Sequence, residues 1–192
     1  TPAEMVITEK FASFNVPTEI DTLWATATVD GFSGLVATEY SPAWSLEEQE
    51  FQQHLAIMSY YPYWQAGVDA WVQTQVDKGE MENFLEPTDL DNVHTASTWA
   101  KQPEIVITSP GAYSLIRRGQ NTVEVEVEAL NGLSKVEYYL DGTLQYTAVS
   151  YPYTGQVRAA TNASSGRQYT ISAYAYDSLG YRTSASIAVE VE

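Results

Sequence analysis

The chain has 192 residues, with 25 acidic against 9 basic side chains, a formal net charge of −16 and no cysteine. Such a surface repels phosphate backbones and anionic lipid, which excludes nucleic acid as a partner, and the missing thiols exclude disulfides, thiolate chemistry and cysteine-ligated zinc. The charge is uneven: residues 1–102 carry sixteen acids against Lys10, Lys78 and Lys101 (−13), and residues 103–192 carry nine acids against six bases (−3).

Residues 1–20, with Pro2 and Pro17 and no sustained period, read as an extended lead-in holding one short strand or turn. Leu23–Val29 and Leu35–Tyr40 are β-prone runs separated by Asp30-Gly31 and Ser33-Gly34, which predicts a hairpin over Asp21–Tyr40. Its apolar candidates are Leu23, Ala25, Ala27, Val29 and Leu35. Ser45-Leu46-Glu47-Glu48 has the form of a capping box and predicts a helix to about Met58, with Glu47, Glu48 and Glu50 in its dipole-favoured first turn. Trp64, Val68, Trp71, Val72 and Gln75 fall on one helical stripe that Gly79 should stop. Glu80–Gln102, rich in Asp, Asn and Pro, reads as an irregular connector.

From Pro103 the period becomes two. Val123, Val125 and Val127 alternate with Glu124, Glu126 and Glu128, and Val136, Tyr138 and Leu140 repeat the pattern before an Asp141-Gly142 turn into Thr143–Ala148. Further strands are expected at Glu104–Thr108, Tyr153–Val157, Tyr169–Tyr176 and Thr183–Val191. Seven short strands separated by Gly-, Pro- and Ser-rich turns predict an immunoglobulin-like sandwich. The expected fold class is thus α+β and predominantly β. A small hairpin-plus-two-helix domain with its lead-in and linker (1–102) precedes a seven-stranded sandwich (103–192).

Val136-Glu137-Tyr138-Tyr139-Leu140-Asp141-Gly142, Tyr151-Pro152-Tyr153 and Ala173-Tyr174-Ala175-Tyr176-Asp177-Ser178-Leu179-Gly180 resemble, in order, segments of the bacterial immunoglobulin-like modules of surface proteins. In the front half, Val29-Asp30-Gly31-Phe32-Ser33-Gly34-Leu35-Val36-Ala37-Thr38-Glu39-Tyr40-Ser41-Pro42 resembles a run that follows the transpeptidase domain of bifunctional (class A) penicillin-binding proteins. Thr1-Pro2-Ala3-Glu4-Met5 is similar to the segment leaving that domain, and Pro87-Thr88-Asp89-Leu90-Asp91-Asn92-Val93-His94-Thr95 to a linker before an immunoglobulin-like tail in long members. The resemblance implies an accessory tail beyond the catalytic domain. The Ser-x-x-Lys, Ser-x-Asn and Lys-Thr-Gly motifs of penicillin-interacting enzymes are absent, and Thr98-Trp99-Ala100-Lys101 has only the spacing of the first.

Few residues point to chemistry. Asp89, Asp91 and His94 lie close enough in sequence to suit a metal or an acid/base pair, although Asp/Asn-rich loops ordinarily just turn the chain. His54 reads as a helix spacer, Asp141 and Asp177 as candidates for calcium without an Asp-x-Asp-x-Asp-Gly loop, and Arg117-Arg118 as surface charge. No catalytic, cofactor or metal residue is assigned. Trp44, Tyr61 and Trp64 are candidates for stacking on sugar rings, with core packing as the competing account of the front half's aromatic content.

These observations favour a non-catalytic extracytoplasmic module without cofactor, bound to peptidoglycan or an envelope protein. Two alternatives stand beside it. One is a surface filament or adhesin subunit that self-associates by strand addition, the other a carbohydrate-binding module of a secreted hydrolase. No apolar run approaches the roughly 20 residues of a membrane span, and the expectation is of a mature or excised piece whose signal or anchor lies upstream of Thr1.

Overall fold

The computed structural model describes residues 8, 10–13, 24–52, 62–80 and 86–192. The chain forms two compact units, the first of Thr1–Glu39 with Ser45–Asp91 and the second of Tyr40–Trp44 with Asn92–Glu192. The second therefore takes in the connector from Asn92 onward as well as the strands.

In the first unit, β1 (Trp24–Asp30) pairs antiparallel along its whole length with β2 (Leu46–Gln52), from Trp24 opposite Gln52 to Asp30 opposite Leu46. This corrects two expectations. The full-length partner of β1 is β2 and not Leu35–Tyr40, which pairs with β1 only briefly, Val36 bridging Val29 while the Asp30 amide donates to the Leu35 carbonyl and the Ala37 amide to the Thr28 carbonyl. The helix expected from Ser45 is a strand as far as it is described, to Gln52. The physical reason lies at Asp30. Its carboxylate accepts the Ser33 amide at 2.9 Å and the Phe32 amide at 3.3 Å, and the Ser45 hydroxyl donates to the same group. Ser45 is thereby taken out of any helix cap. Toward the end of β2, Gln49 is half-buried and Phe51 buried on one face, with Glu48 and Glu50 exposed on the other. The tight reversal foreseen at Asp30–Gly34 does form: Gly34, at φ +72, donates to the Asp30 carbonyl at 2.7 Å. Val36 then donates to the Asp89 carbonyl, and its own carbonyl accepts the Asp91 amide.

Helix α1 (Pro62–Asp77) is closed by Gly79 at φ +70, whose amide donates to the Val76 carbonyl while Glu80 donates to that of Gln75. Its inward side is centred on the buried Val72, with Gln65, Val68 and Val76 half-buried around it. Trp64 and Trp71, placed on the apolar stripe by their spacing, stand at its rim and are more than half exposed.

The second unit opens with α2 (Ala96–Trp99), a one-turn helix that the sequence reading left inside the connector. Thr95 is its N-cap, and Thr98, at the third helical position, completes the capping box by accepting the Thr95 amide. Asn131 fastens it to the sandwich by donating to the carbonyls of Thr98 and Lys101. Eight strands follow: β3 (Glu104–Ser109), β4 (Leu115–Ile116), β5 (Gly119–Glu128), β6 (Leu133–Leu140), β7 (Thr143–Ala148), β8 (Gly155–Ala159), β9 (Gln168–Asp177) and β10 (Arg182–Val191). The eighth, absent from the sequence reading, is the two-residue β4. It pairs parallel with the end of β10 and is too short to show a period. The strands build a five-stranded sheet in the order β4-β10-β9-β6-β7 and a three-stranded sheet β3-β5-β8. Between them lies a core of Val123, Val136, Tyr138, Val157, Ile171, Ala173, Val189 and Val191, all essentially without solvent contact.

Two aspartates that were calcium candidates hold turns instead. Asp141, at φ +48 ahead of Gly142 at φ +76, accepts the Thr170 amide at 2.8 Å. Asp177, 2 % exposed, accepts the amides of Leu179 (3.0 Å) and Tyr181 (2.8 Å) with one oxygen and the Asn131 side chain with the other. Asp177→Ala strands two amides in a buried turn, and each orphaned donor costs about 1–3 kcal/mol. The urea midpoint should fall markedly in that variant and stay within error in Ser178→Ala, whose side chain is exposed. Equal midpoints for the two would contradict the role given to Asp177.

Candidate functional site

The outer face of the five-stranded sheet is built by the residues that alternate with the core. On β6, Val136, Tyr138 and Leu140 point inward, leaving Lys135, Glu137 and Tyr139 outside. On β9, Ile171, Ala173 and Ala175 point inward, so Tyr174 and Tyr176 lie outside, and the β9–β10 register sets Arg182 opposite Tyr176. Trp44 completes the cluster from the Tyr40–Trp44 segment of the same unit. Its indole N–H donates to the Gly180 carbonyl at 2.9 Å, and its ring meets Tyr176 edge-on at 5.6 Å.

The cluster is held together by charge and ring faces. The Arg182 guanidinium lies 5.4 Å from the Trp44 ring centre and 5.2 Å from that of Tyr174, and the Lys135 ammonium lies 4.4 Å from the Tyr176 ring. Tyr139 and Tyr174 meet edge-on at 5.1 Å. Beneath them, buried Glu137 accepts from Lys135 Nζ (2.6 Å) and from the hydroxyls of Tyr139 and Tyr176 (2.8 Å each). Burial pushes its carboxyl up, but the hydrogen bonds from Lys135, Tyr176 and Tyr139 outweigh that and hold it below its ordinary value. Burial, followed by the hydrogen bond to Glu137, raises the Tyr139 phenol to about 12. An anion already satisfied by three donors orients the tyrosines. What this arrangement exposes is part of the Trp44 ring, with the Arg182 guanidinium and the half-buried Tyr139 and Tyr174 beside it and Tyr176 buried beneath, a mixture of ring surface and hydrogen-bonding groups that suits a polyhydroxylated ligand.

Of the sugar-stacking candidates, Trp44 is 44 % exposed at this platform and Trp64 is 57 % exposed on α1, so each ring is partly packed and partly open. Tyr61 and His54 lie outside the described residues. Trp44 and Trp64 belong to different compact units, so neither unit contains the candidates as one constellation. On α1, Trp64 is joined by Tyr63 and Trp71, 88 % and 56 % exposed, with the two tryptophans two turns apart, about 10.5 Å along the axis. Tyr139, Tyr174, Tyr176, Glu137 and Arg182 went unremarked as site residues. Their signal was the alternation itself, since assigning the inward face of β6 and β9 leaves these aromatics on the other.

Asp89, Asp91 and His94 are likewise divided, with the two aspartates in the first unit and His94 in the second. Asp89 is exposed and lends its backbone carbonyl to Val36. Asp91 is buried, with a carboxylate oxygen within 4.8 Å of one from Asp30. Burial pushes the Asp30 carboxyl up, while hydrogen bonds from Ser45, Ser33 and Phe32 bring it below its ordinary value. Buried His94 is fixed by Nε2 donating to the Leu179 carbonyl (2.6 Å) and by an edge-on contact with Tyr181 at 5.0 Å. Arg117 and Arg118 are exposed, and Arg118 donates to the Ala163 carbonyl.

Residues 103–178 match the bacterial Ig domain family, and the second unit is an immunoglobulin-like domain. No curated protein matches the chain. Among solved structures, the fibronectin(III)-like modules of Clostridium thermocellum CbhA are 29% identical over 46% of this chain and 94% of theirs, with a TM-score of 0.40. A modular endo-β-1,4-mannanase from Cellulomonas fimi is 18% identical over 57% of this chain and 21% of its own, with a TM-score of 0.35. The Bacteroides ovatus mixed-linkage glucan utilization locus SGBP-B, solved with a mixed-linkage heptasaccharide, is 14% identical over 46% of this chain and 24% of its own, with a TM-score of 0.33.

Proposed function

We propose that the chain is a non-catalytic extracytoplasmic accessory module of a peptidoglycan-synthesising penicillin-binding protein, and that its immunoglobulin-like unit binds the glycan of the cell wall. The observation that carries the glycan reading is the half-open Trp44 ring set beside Arg182, Tyr174 and the Glu137-anchored tyrosines. Ring faces stack on the C–H surfaces of pyranoses, and the adjoining guanidinium and phenols supply hydrogen bonds to hydroxyls. A net charge of −16 opposes binding to anionic polymers, which favours glycan strands over teichoic or nucleic acid. The family context rests on the front-half segments from Thr1 to Pro42 and from Pro87 to Thr95. The absent serine-acylation motifs support a binding role over catalysis.

The test is retention of the purified chain on isolated peptidoglycan, with cellulose and mannan as parallel matrices and fluorescent penicillin as a probe of acylation. Trp44→Ala should weaken retention at least tenfold, the loss of an aromatic anchor covered by its ligand being worth about 2 kcal/mol, while Trp44→Phe keeps most of it. Unchanged retention in Trp44→Ala and Tyr174→Ala would remove the platform from the reading. Preference for cellulose or mannan would move the module to a secreted hydrolase, and covalent penicillin labelling would overturn the non-catalytic assignment.

A further inference from the structure

In the three-stranded sheet, β5 is paired unequally on its two sides. Toward β3 it is paired from Glu124 to Glu128, but toward β8 only from Gly119 to Val123, where Gly155 is the last partner. Upstream of Gly155 the chain turns away at Tyr153, which adopts φ +53 and whose carbonyl accepts the Tyr138 hydroxyl. The backbone edge Glu124–Glu128 is therefore open on that side among the described residues, a run of about 17 Å at the rise of an extended chain. A groove of about 860 Å³ follows it, lined by Val125, Val127, Leu133 and Tyr153 on the core side and by Glu124 and Glu126 at the rim.

The charge along this edge is unbalanced. Glu124, Glu126 and Glu128 project from one face of β5, and Glu104 stands directly opposite Glu128 in the β3–β5 register. Like charges placed opposite one another destabilise a sheet. None of the four has an ion-pair partner among the described residues. Val125 and Val127, which face the core, are only half-buried, and no strand among the described residues covers this end.

We infer that this groove receives an extended, basic segment of a partner protein as an additional strand. Its backbone completes the ladder along Glu124–Glu128, alternate apolar side chains seat on Val125, Val127, Leu133 and Tyr153, and intervening lysines or arginines face the glutamates. A second copy of this chain is a poor occupant. Its first 21 residues carry Glu4, Glu9, Glu19 and Asp21 against Lys10 and would meet the rim with the same sign. The surface is separate from the aromatic platform, which lies on the other sheet, so the two can fail independently.

The experiment uses the full chain and a capped seven-residue peptide alternating lysine and valine, with hydrogen–deuterium exchange as readout. The peptide should slow exchange of the Glu124–Glu128 amides, and its affinity should fall steeply as salt is raised. Glu124→Lys combined with Glu126→Lys should weaken binding at least tenfold. Both side chains are exposed, and an unchanged melting temperature will show that the fold is kept. A peptide of the same length and charge with its central valines replaced by proline should not protect these amides, since proline removes ladder donors. Equal binding of a glutamate-for-lysine peptide, binding without protection at Glu124–Glu128, or concentration-dependent protection of these amides by the chain alone would each overturn the inference.

Discussion

Gly155→Ala should lower the unfolding free energy of the immunoglobulin-like unit by roughly 2–3 kcal/mol, a heavy loss for adding one methyl group. A Cβ at position 155 would fall inside the van der Waals envelope of the Tyr138 ring, against Cγ, Cδ2 and Cε2. That ring has no room to retreat. It is wholly buried among the strands of both sheets, and its hydroxyl is tied to the Tyr153 carbonyl two residues before the glycine. Interiors are packed near crystal density, so the strain must be taken by backbone shifts in β8 or by an off-rotamer tyrosine. The position is restricted by space and not by torsion, because Gly155 is not among the glycines with positive φ. Tyr138→Leu clears the ring and should make Gly155→Ala less damaging, with a coupling of about 1 kcal/mol or more in a double-mutant cycle. Tyr138→Phe keeps the ring and should give no such relief. Denaturant midpoints of the three single variants and the two doubles check this, and a wild-type midpoint for Gly155→Ala would show that the contact is not tight.

Glu137→Ala should cost on the order of 2–3 kcal/mol, because hydrogen bonds to a charged group are worth more than neutral ones and two tyrosine hydroxyls lose their acceptor together. The ion pair with Lys135 adds little, since the lysine side chain is 37% exposed and its charge is screened. Glu137→Gln, which still accepts, should cost less. The same carboxylate makes stability depend on pH in a definite direction. Its folded pKa lies below the ordinary 4.5, so its contribution is present above that value and is lost as pH falls through the folded one. Asp30, held below 3.8, acts in the same sense in the first unit. The tyrosines act at the other end. Burial raises Tyr138 and Tyr176 and, with the hydrogen bond to Glu137, brings Tyr139 to about 12. Their contribution is intact below pH 10 and lost above it, as the unfolded chain ionises first. Unfolding curves from pH 3 to 12 should show both limbs, with a shallower acid limb in Glu137→Gln. Parallel acid limbs for that variant and the wild type would refute the coupling.

The sandwich was legible in the sequence because most of its strands turn one apolar face to the core, so Val136/Tyr138/Leu140 against Lys135/Glu137/Tyr139 states the orientation of β6. Asp141-Gly142 was equally plain, since few residue pairs accept two successive left-handed conformations. Ser45–Gln52 was not legible. Ser-x-x-Glu caps a helix only if the serine hydroxyl is available, and here it is engaged by Asp30, fifteen residues earlier. The aromatic platform was half legible. Trp44 was singled out for its ring, while Tyr174 and Arg182 become neighbours only through the β9–β10 register and the β6–β9 pairing.

What the amino-acid sequence determined by itself was local. It set the two-residue period of the second half, the places where the chain reverses, the helix ending at Gly79 and the acidic field that selects against polyanions. Tertiary structure decided which strand pairs with β1, which aromatics stay in solvent, and where β8 leaves β5 to open a strand edge. The physical reason is range. Periodicity and turn torsions are settled between residues a few positions apart, whereas a hydroxyl's acceptor, a ring's exposure and a free backbone edge depend on groups that only folding brings within hydrogen-bond distance.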